Sequence, residues 1–336
     1  MDFLFSTFVG TPVWFWLAFL ALVIALTAFD LGFLNKENKE MGIAESLKLS
    51  AFYIIIALLF GVWVWVQKGA EAGVLYYTGF FIEKALSIDN VFVISLIFTY
   101  FAIPRQYQYR ALLWGIIGVI VLRGIMIALG AALVEQFYWI LYFFAVFLIA
   151  TGVKMLFAGD EPMDISKNPV VTFMNRHFRV TPELHAQKFV VKVKDEKTGK
   201  LVTAITPLLV ALIVINIADL IFAVDSVPAI FAITTDTFIV YTSNIMAILG
   251  LRALYFALAA MVHRFHYLKY ALALVLVFIG SKIFVADFFT ETGKFPPVFS
   301  LGVTVALILG GIVYSLWKTR SEGHPVDIAR APEPKT

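Results

Sequence analysis

Four carboxylates stand out in an otherwise apolar chain: Glu83, Asp89, Asp219 and Asp225. They fall in two stretches, Glu83 to Asn90 and Asp219 to Ser226, and in each the two acids lie six residues apart. Amide and hydroxyl oxygens accompany them at Asn90, Asn216 and Ser226. Such an all-oxygen set suits hard divalent cations such as Mn2+, Mg2+ or Ca2+. A soft ion such as Cu+ would want sulfur, and the chain has no cysteine. That also excludes disulfides, thiolate metal sites and cysteine nucleophiles. Asn244 is a further candidate oxygen ligand. Met126, Met155 and Met246 are scattered and read as packing. His177, His185, His263 and His266 fall in connections or at helix ends and read as surface groups rather than zinc ligands.

The setting gives these acids their weight. Of 336 residues, 61% are hydrophobic and 15% charged, with a mean hydropathy of +0.89. A soluble domain carries about a quarter charged residues. The polar residues are clumped, and the apolar runs between them have the ~20-residue length that a bilayer core requires. The pattern predicts an all-α membrane protein of about nine transmembrane helices, roughly 13–34, 46–67, 75–101, 111–133, 138–158, 203–233, 238–261, 268–289 and 298–317. A charge inside such a helix costs several kcal/mol unless paired or hydrated. Arg123, Arg252, Lys154 and Lys282 are embedded too, so internal ion pairing is the bland reading of the acids, and a cation or proton path using at least two of them is the favoured one. Lys84 directly follows Glu83, and adjacent helical residues do not face each other. Asp30 and Asp287 read as interfacial.

Six residues on an ideal helix leave the two acids of a pair about 120° apart. Both can face one small site only if the helix opens. Pro228 marks a break in the second stretch, and Ser87 to Asn90 is the corresponding place in the first. The sixth span, with Pro207 and Pro228, is therefore expected to be broken.

Of the 26 Lys and Arg residues, nineteen fall in one alternate set of connections with the tail, two in the opposite set and five within spans. The positive-inside rule then puts the N-terminus outside and the C-terminus inside. The first apolar run has no basic lead or small-residue cleavage site and reads as a retained span. The polar segment 159–200 carries a possible hairpin at Lys188 to Lys200, and 318–336 reads as a disordered tail. A formal charge of +3 gives no reason to expect nucleic acid as a partner. The absence of G-x-x-x-x-G-K-[ST] argues against ATP drive within the chain, and no H-E-x-x-H or Ser/His pattern within a span suggests an enzyme.

The chain repeats itself. Glu83 to Asn90 matches Asp219 to Ser226 at an offset of 136; Val121-Leu-Arg123 matches Gly250-Leu-Arg252 at 129; Thr151-Gly-Val-Lys154 matches Ile279-Gly-Ser-Lys282 at 128. The three matches keep their order. They predict two three-helix units, 75–158 and 201–290, preceded by two peripheral helices in 1–74 and followed by a last helix in 291–317. An odd number of spans per unit makes the repeats inverted, the arrangement in which transporters bind cargo near the midplane.

Glu-Lys-x-Leu-Ser-Ile-Asp-Asn-Val-Phe-Val at 83–93, Ala-Asp-Leu-Ile-Phe-Ala-Val-Asp-Ser-Val-Pro at 218–228 and Thr242-Ser-Asn244 through Gly-Leu-Arg252 resemble the TerC/Alx family of bacterial integral membrane proteins. The likeness runs from the first span to the last. It implies a link to tellurite resistance, kinship with LysE-type exporters, and manganese efflux, with Glu83, Asp89, Asn90, Asp219 and Asp225 as metal-handling positions. It also implies a Glu three residues before Asp219, where this chain has Asn216. The expectation is a secondary transporter exporting Mn2+ or a similar hard divalent cation, with proton exchange as the natural energy source, the bilayer as its other partner and no organic cofactor. The alternative is a non-transporting scaffold that aids insertion or metalation of exported proteins and uses the acids as structural ion pairs.

Overall fold

A computed structural model of the chain describes residues 2–34, 42–157, 168–194, 201–259, 267–289 and 296–321; the side chains of Asp89, Arg252 and Asp287 lie outside the description, as do residues 322–336 of the expected 318–336 tail, whose first four residues instead extend the last helix. A short helix α1 (Asp2–Phe5) and a two-stranded turn, β1 (Thr7–Phe8) with β2 (Thr11–Pro12), lead into α2 (Val13–Leu34) and α3 (Ile43–Lys68). Then come α4 (Ala70–Tyr100), α5 (Arg105–Gln136) and α6 (Ile140–Phe157). A short helix α7 (Pro169–His177) precedes an antiparallel hairpin of β3 (Val190–Lys194) and β4 (Leu201–Ile205). The chain closes with α8 (Pro207–Phe231), α9 (Thr237–Leu249), α10 (Leu251–Leu258), α11 (Leu268–Phe289) and α12 (Pro297–Ser321).

Helices dominate because a backbone in hydrocarbon must satisfy its own hydrogen bonds. Proline marks their beginnings, where the missing N–H costs nothing: Pro169 in α7, Pro207 in α8 and Pro297 at the head of α12. Gly69, at φ +96°, turns the chain between α3 and α4 in a conformation that other side chains rarely adopt.

Seven helices among the described residues are long and apolar enough to cross a membrane: α2, α3, α5, α6, α8, α11 and α12. Two of the expected nine do not qualify alone. α4 carries Glu71, Glu83, Lys84 and Asp89, and α9 stops after 13 residues. Outward faces are apolar, with Ile24, Leu59, Val66, Leu129, Phe143 and Val313 all more than half exposed. Polar side chains turn inward, among them Thr78, Glu83, Ser87, Asn90, Arg123, Asp219, Ser226 and Asn244. A water-soluble surface with such apolar patches would aggregate; beside lipid tails it is matched.

Two expectations need correction. α8 is a single unbroken helix, because Pro207 occupies its first turn and Pro228 its last. α4 likewise runs through Ser87 to Asn90 without a break. The interruption falls at Gly250, between α9 and α10. There the Lys84 ammonium donates to the Ala247 carbonyl at 3.1 Å, a cation at the C-terminal end of α9. The hairpin exists, but its second strand is β4, which the sixth apolar run had absorbed from residue 203; its turn at 195–200 lies outside the described residues.

Close helix approaches centre on glycines. A Cβ on Gly79 of α4 would sit 2.7 Å from Ser243 Oγ of α9, and one on Gly118 of α5 would collide with the Asn216 amide of α8. Between α6 and α11 the approach is reciprocal. A Cβ on Gly152 would meet the Ala273 carbonyl oxygen at 2.7 Å and Val277 Cγ2 at 2.8 Å; one on Gly280 would meet the Ala145 carbonyl oxygen at 2.6 Å and Ile149 Cγ1 at 2.8 Å. Each pair of counterparts is 128 residues apart. Small residues at such seams let backbones touch. Gly152→Val and Gly280→Val should each lower stability by about 1–3 kcal/mol through backbone displacement. Gly302→Ala, whose added carbon meets nothing within 4 Å, should change it by under about 0.5 kcal/mol. Thermal unfolding of the detergent-purified variants checks both.

Candidate functional site

Unbroken helices decide which duplicated residues meet. Residues seven apart differ by only about 20° around an α-helix. Glu83 and Asn90 therefore share one face of α4, and Asp219 and Ser226 share one face of α8. These two faces meet in the bundle centre, where Glu83, Asn90, Asp219 and Ser226 are all buried.

Arg123 of α5 joins them. Its Nε donates to Asp219 Oδ2 at 3.0 Å and its Nη2 to Asp219 Oδ1 at 3.1 Å, a two-pronged grip. Its Nη1 forms an ion pair with Glu83 Oε1 and lies 2.9 Å from Asn244 Oδ1 and 3.2 Å from Ser226 Oγ. Three acceptors face the two hydrogens of Nη1. The Ser226 hydroxyl, which also hydrogen-bonds Glu83, is the one able to donate instead. Asn244 Nδ2 donates to Glu83 Oε2 at 3.0 Å, and Asn90 Nδ2 donates to Asp219 Oδ1 at 3.2 Å. Arg123 and Glu83 are each only 1% exposed. Two carboxylates around one guanidinium leave the cluster with a formal charge of −1.

The other candidate residues lie apart. Asn216, one turn before Asp219, donates to its own helix at the Leu212 carbonyl (2.9 Å); its Oδ1 is buried without a hydrogen-bond partner, as is Asn90 Oδ1. Asp225 is half-buried on another side of α8, and the nearby charge acting on it is that of Lys154. The Asp89 side chain is outside the described residues. Among those described, no group of three or more His, Cys, Asp or Glu residues has a metal-holding arrangement. Asp30, read as interfacial, is buried, and its carbonyl accepts from Tyr109 at 2.8 Å. A polar cavity of about 340 Å³ opens elsewhere, near Ser95, Thr99, Gln108 and Tyr255; its charged lining residue is Arg105, so it is no cation seat.

Residues 68–323 match the family described as integral membrane protein TerC. The chain belongs to the TerC family. Across nearly its whole length this TerC chain is 48% identical to an "Uncharacterized membrane protein" of Rickettsia felis, over 309 residues that cover 92% of this chain and 99% of the relative. It is 42% identical to a membrane protein of Myxococcus xanthus over 325 residues, covering 97% and 98%. It is also 42% identical over 318 residues, covering 92% and 96%, to a protein of Escherichia coli K12 named "Putative membrane-bound redox modulator Alx". No solved structure matches. Family membership and the apolar helices together make this TerC chain a multi-pass integral membrane protein.

Sequence reasoning placed Glu83, Asn90, Asp219 and Ser226 in one site, and the structure brings them together. It had Arg123 only as a possible neutraliser and Asn244 only as a further ligand; both are central. The signal for Arg123 was its duplication with Arg252 in the helices that follow the acid-bearing ones. Removing Arg123 strands two buried carboxylates. Arg123→Met should therefore cost about 3–5 kcal/mol. Adding Glu83→Gln and Asp219→Asn to that variant should restore at least half of the loss, measured by denaturant unfolding in detergent.

Proposed function

We propose that this TerC protein is a secondary transporter that exports Mn2+, or a similarly hard divalent cation, from the bacterial cytoplasm, and that the cluster of Glu83, Asp219, Asn90, Ser226 and Asn244 is its cargo station. The observation that carries the reading is the convergence, at mid-helix depth, of two carboxylates, Ser226 and Asn244 on one cationic position, with Asn90 bound to Asp219 beside it. Carboxylate, carbonyl and hydroxyl oxygens are what a hard cation replaces its water with. Asp89 and Asp225 are proposed as further acids along the path, and Asn216 as an oxygen beside it.

The proposed architecture adds α4 and the interrupted α9–α10 to the seven qualifying helices. That makes nine spans, with the N-terminus outside and the C-terminus in the cytoplasm of the inner membrane. The reciprocal Gly152 and Gly280 contacts support two inverted repeats, since a two-fold axis between the units would produce such a pairing. Proton exchange is the proposed drive, because a carboxylate can trade a cation for H+. The E. coli relative is named for a redox role. This chain has no cysteine, so an effect of that kind here would run through metal level and not through thiols.

The second reading is a membrane scaffold whose acids are structural ion pairs. The Arg123 grip favours it as a specific observation. Efflux separates the two. In bacteria lacking this protein, wild type should lower cell manganese after a Mn2+ load. Glu83→Gln and Asp219→Asn, present in the membrane at equal amounts, should slow that efflux by at least about tenfold, the size expected when a charged ligand is lost from a buried site. Variants that assemble and still export like wild type would overturn the transport reading in favour of the scaffold.

A further inference from the structure

Resting on the transport reading above, we propose that Arg123 is a tethered cation: its guanidinium fills the station between Glu83 and Asp219 when no metal is there, and it swings toward the Asn216 amide when a divalent cation enters.

The first ground is stoichiometric. Arg123 uses both oxygens of Asp219, one of Glu83 and the side-chain oxygens of Ser226 and Asn244. An ion seated among these ligands needs the same lone pairs. The guanidinium cannot give way by losing its proton, because arginine stays charged in proteins. Metal and guanidinium therefore exclude one another, by shared ligands and by like charge.

The second ground is a place to go. Helical side chains lean toward the N-terminus of their helix. From Arg123 that direction leads along α5 toward Gly118, five residues and about 7.5 Å back along the axis. Gly118 has no side chain to obstruct the path, and the Asn216 amide rests against it. Asn216 Oδ1 is buried with no donor, and so is Asn90 Oδ1 on the facing helix. A displaced guanidinium carries the donors that these acceptors lack.

A tethered cation supplies the empty station with one of the two positive charges that its acids need and leaves the other to the exchanged proton. It also makes a distinctive prediction: removing the arginine should strengthen metal binding while weakening the apo protein. The test uses the full-length protein in nanodiscs, titrated with Mn2+ by calorimetry and followed by thermal unfolding. Arg123→Gln should bind Mn2+ at least about tenfold tighter than wild type. Saturating Mn2+ should return its lowered Tm to near the wild-type value. Arg123→Lys, which keeps the charge on a compact head with fewer contacts, should bind between the two and covers the case in which Arg123→Gln cannot be isolated folded. Asn216→Leu leaves every station ligand in place and should bind Mn2+ at least about tenfold weaker than wild type. If wild type binds Mn2+ and folded Arg123→Gln and Arg123→Lys bind it equally or more weakly, the tether is wrong and the station stands. If wild type and all variants bind no Mn2+, the transport reading fails and takes the tether with it.

Discussion

Two carboxylates in the middle of an apolar bundle need a counter-cation, and the placement of the central helices follows from that need. Coulomb attraction is strong where water is excluded, and so is the penalty for a carboxylate left alone. Arg123 meets the need from α5, reaching Glu83 on α4, Asp219 and Ser226 on α8, and Asn244 on α9. One planar group thus fixes the spacing of four helices. The glycines serve the same end. Gly79 brings α4 onto α9, and Gly118 brings α5 onto α8. A side chain at either would hold the acids too far from a guanidinium of fixed size.

Much of this was legible in the sequence, and the parts that were not fail for identifiable reasons. Apolar run length located the helices, because the bilayer imposes length directly on composition. The duplicated acids were visible because each is rare in such surroundings. Asp225 does not join Asp219: their convergence required a break in α8, and α8 stays whole. The residues that share a face with Glu83 and Asp219 are the seventh ones, Asn90 and Ser226, the neutral neighbours of the second acids. Pro228 misled: a proline breaks a helix in its interior, but here the helix ends three residues later. The true interruption at Gly250 has no proline. A lysine from another helix reaches the Ala247 carbonyl there, a long-range contact that local sequence does not announce.

Asn216 ties the family resemblance to the geometry. A glutamate at that position would bring a third carboxylate to the same face of α8, beside a cluster whose formal charge is already −1. With asparagine the face keeps an oxygen and sheds a charge, and Arg123 is left with two carboxylates to balance. The pairing seen in this chain is therefore one that a more acidic relative would have to arrange differently.

Among the helices that begin expected spans, α4 and α9 do not qualify alone, and together they carry Glu83, Asn90 and Asn244. From Phe238 to Leu249, every α9 side chain but that of Tyr241 is buried; thirteen residues rise only about 20 Å, well short of a ~30 Å hydrocarbon layer. Seen from the ribosome, this sets an order of events. Glu83 is synthesised forty residues ahead of Arg123, and a carboxylate without its partner is costly in hydrocarbon. α9 comes later still, and it enters a slot already walled by α3, α4 and α5. The charges that define the centre of this protein therefore tie α4 to a helix that is synthesised after it.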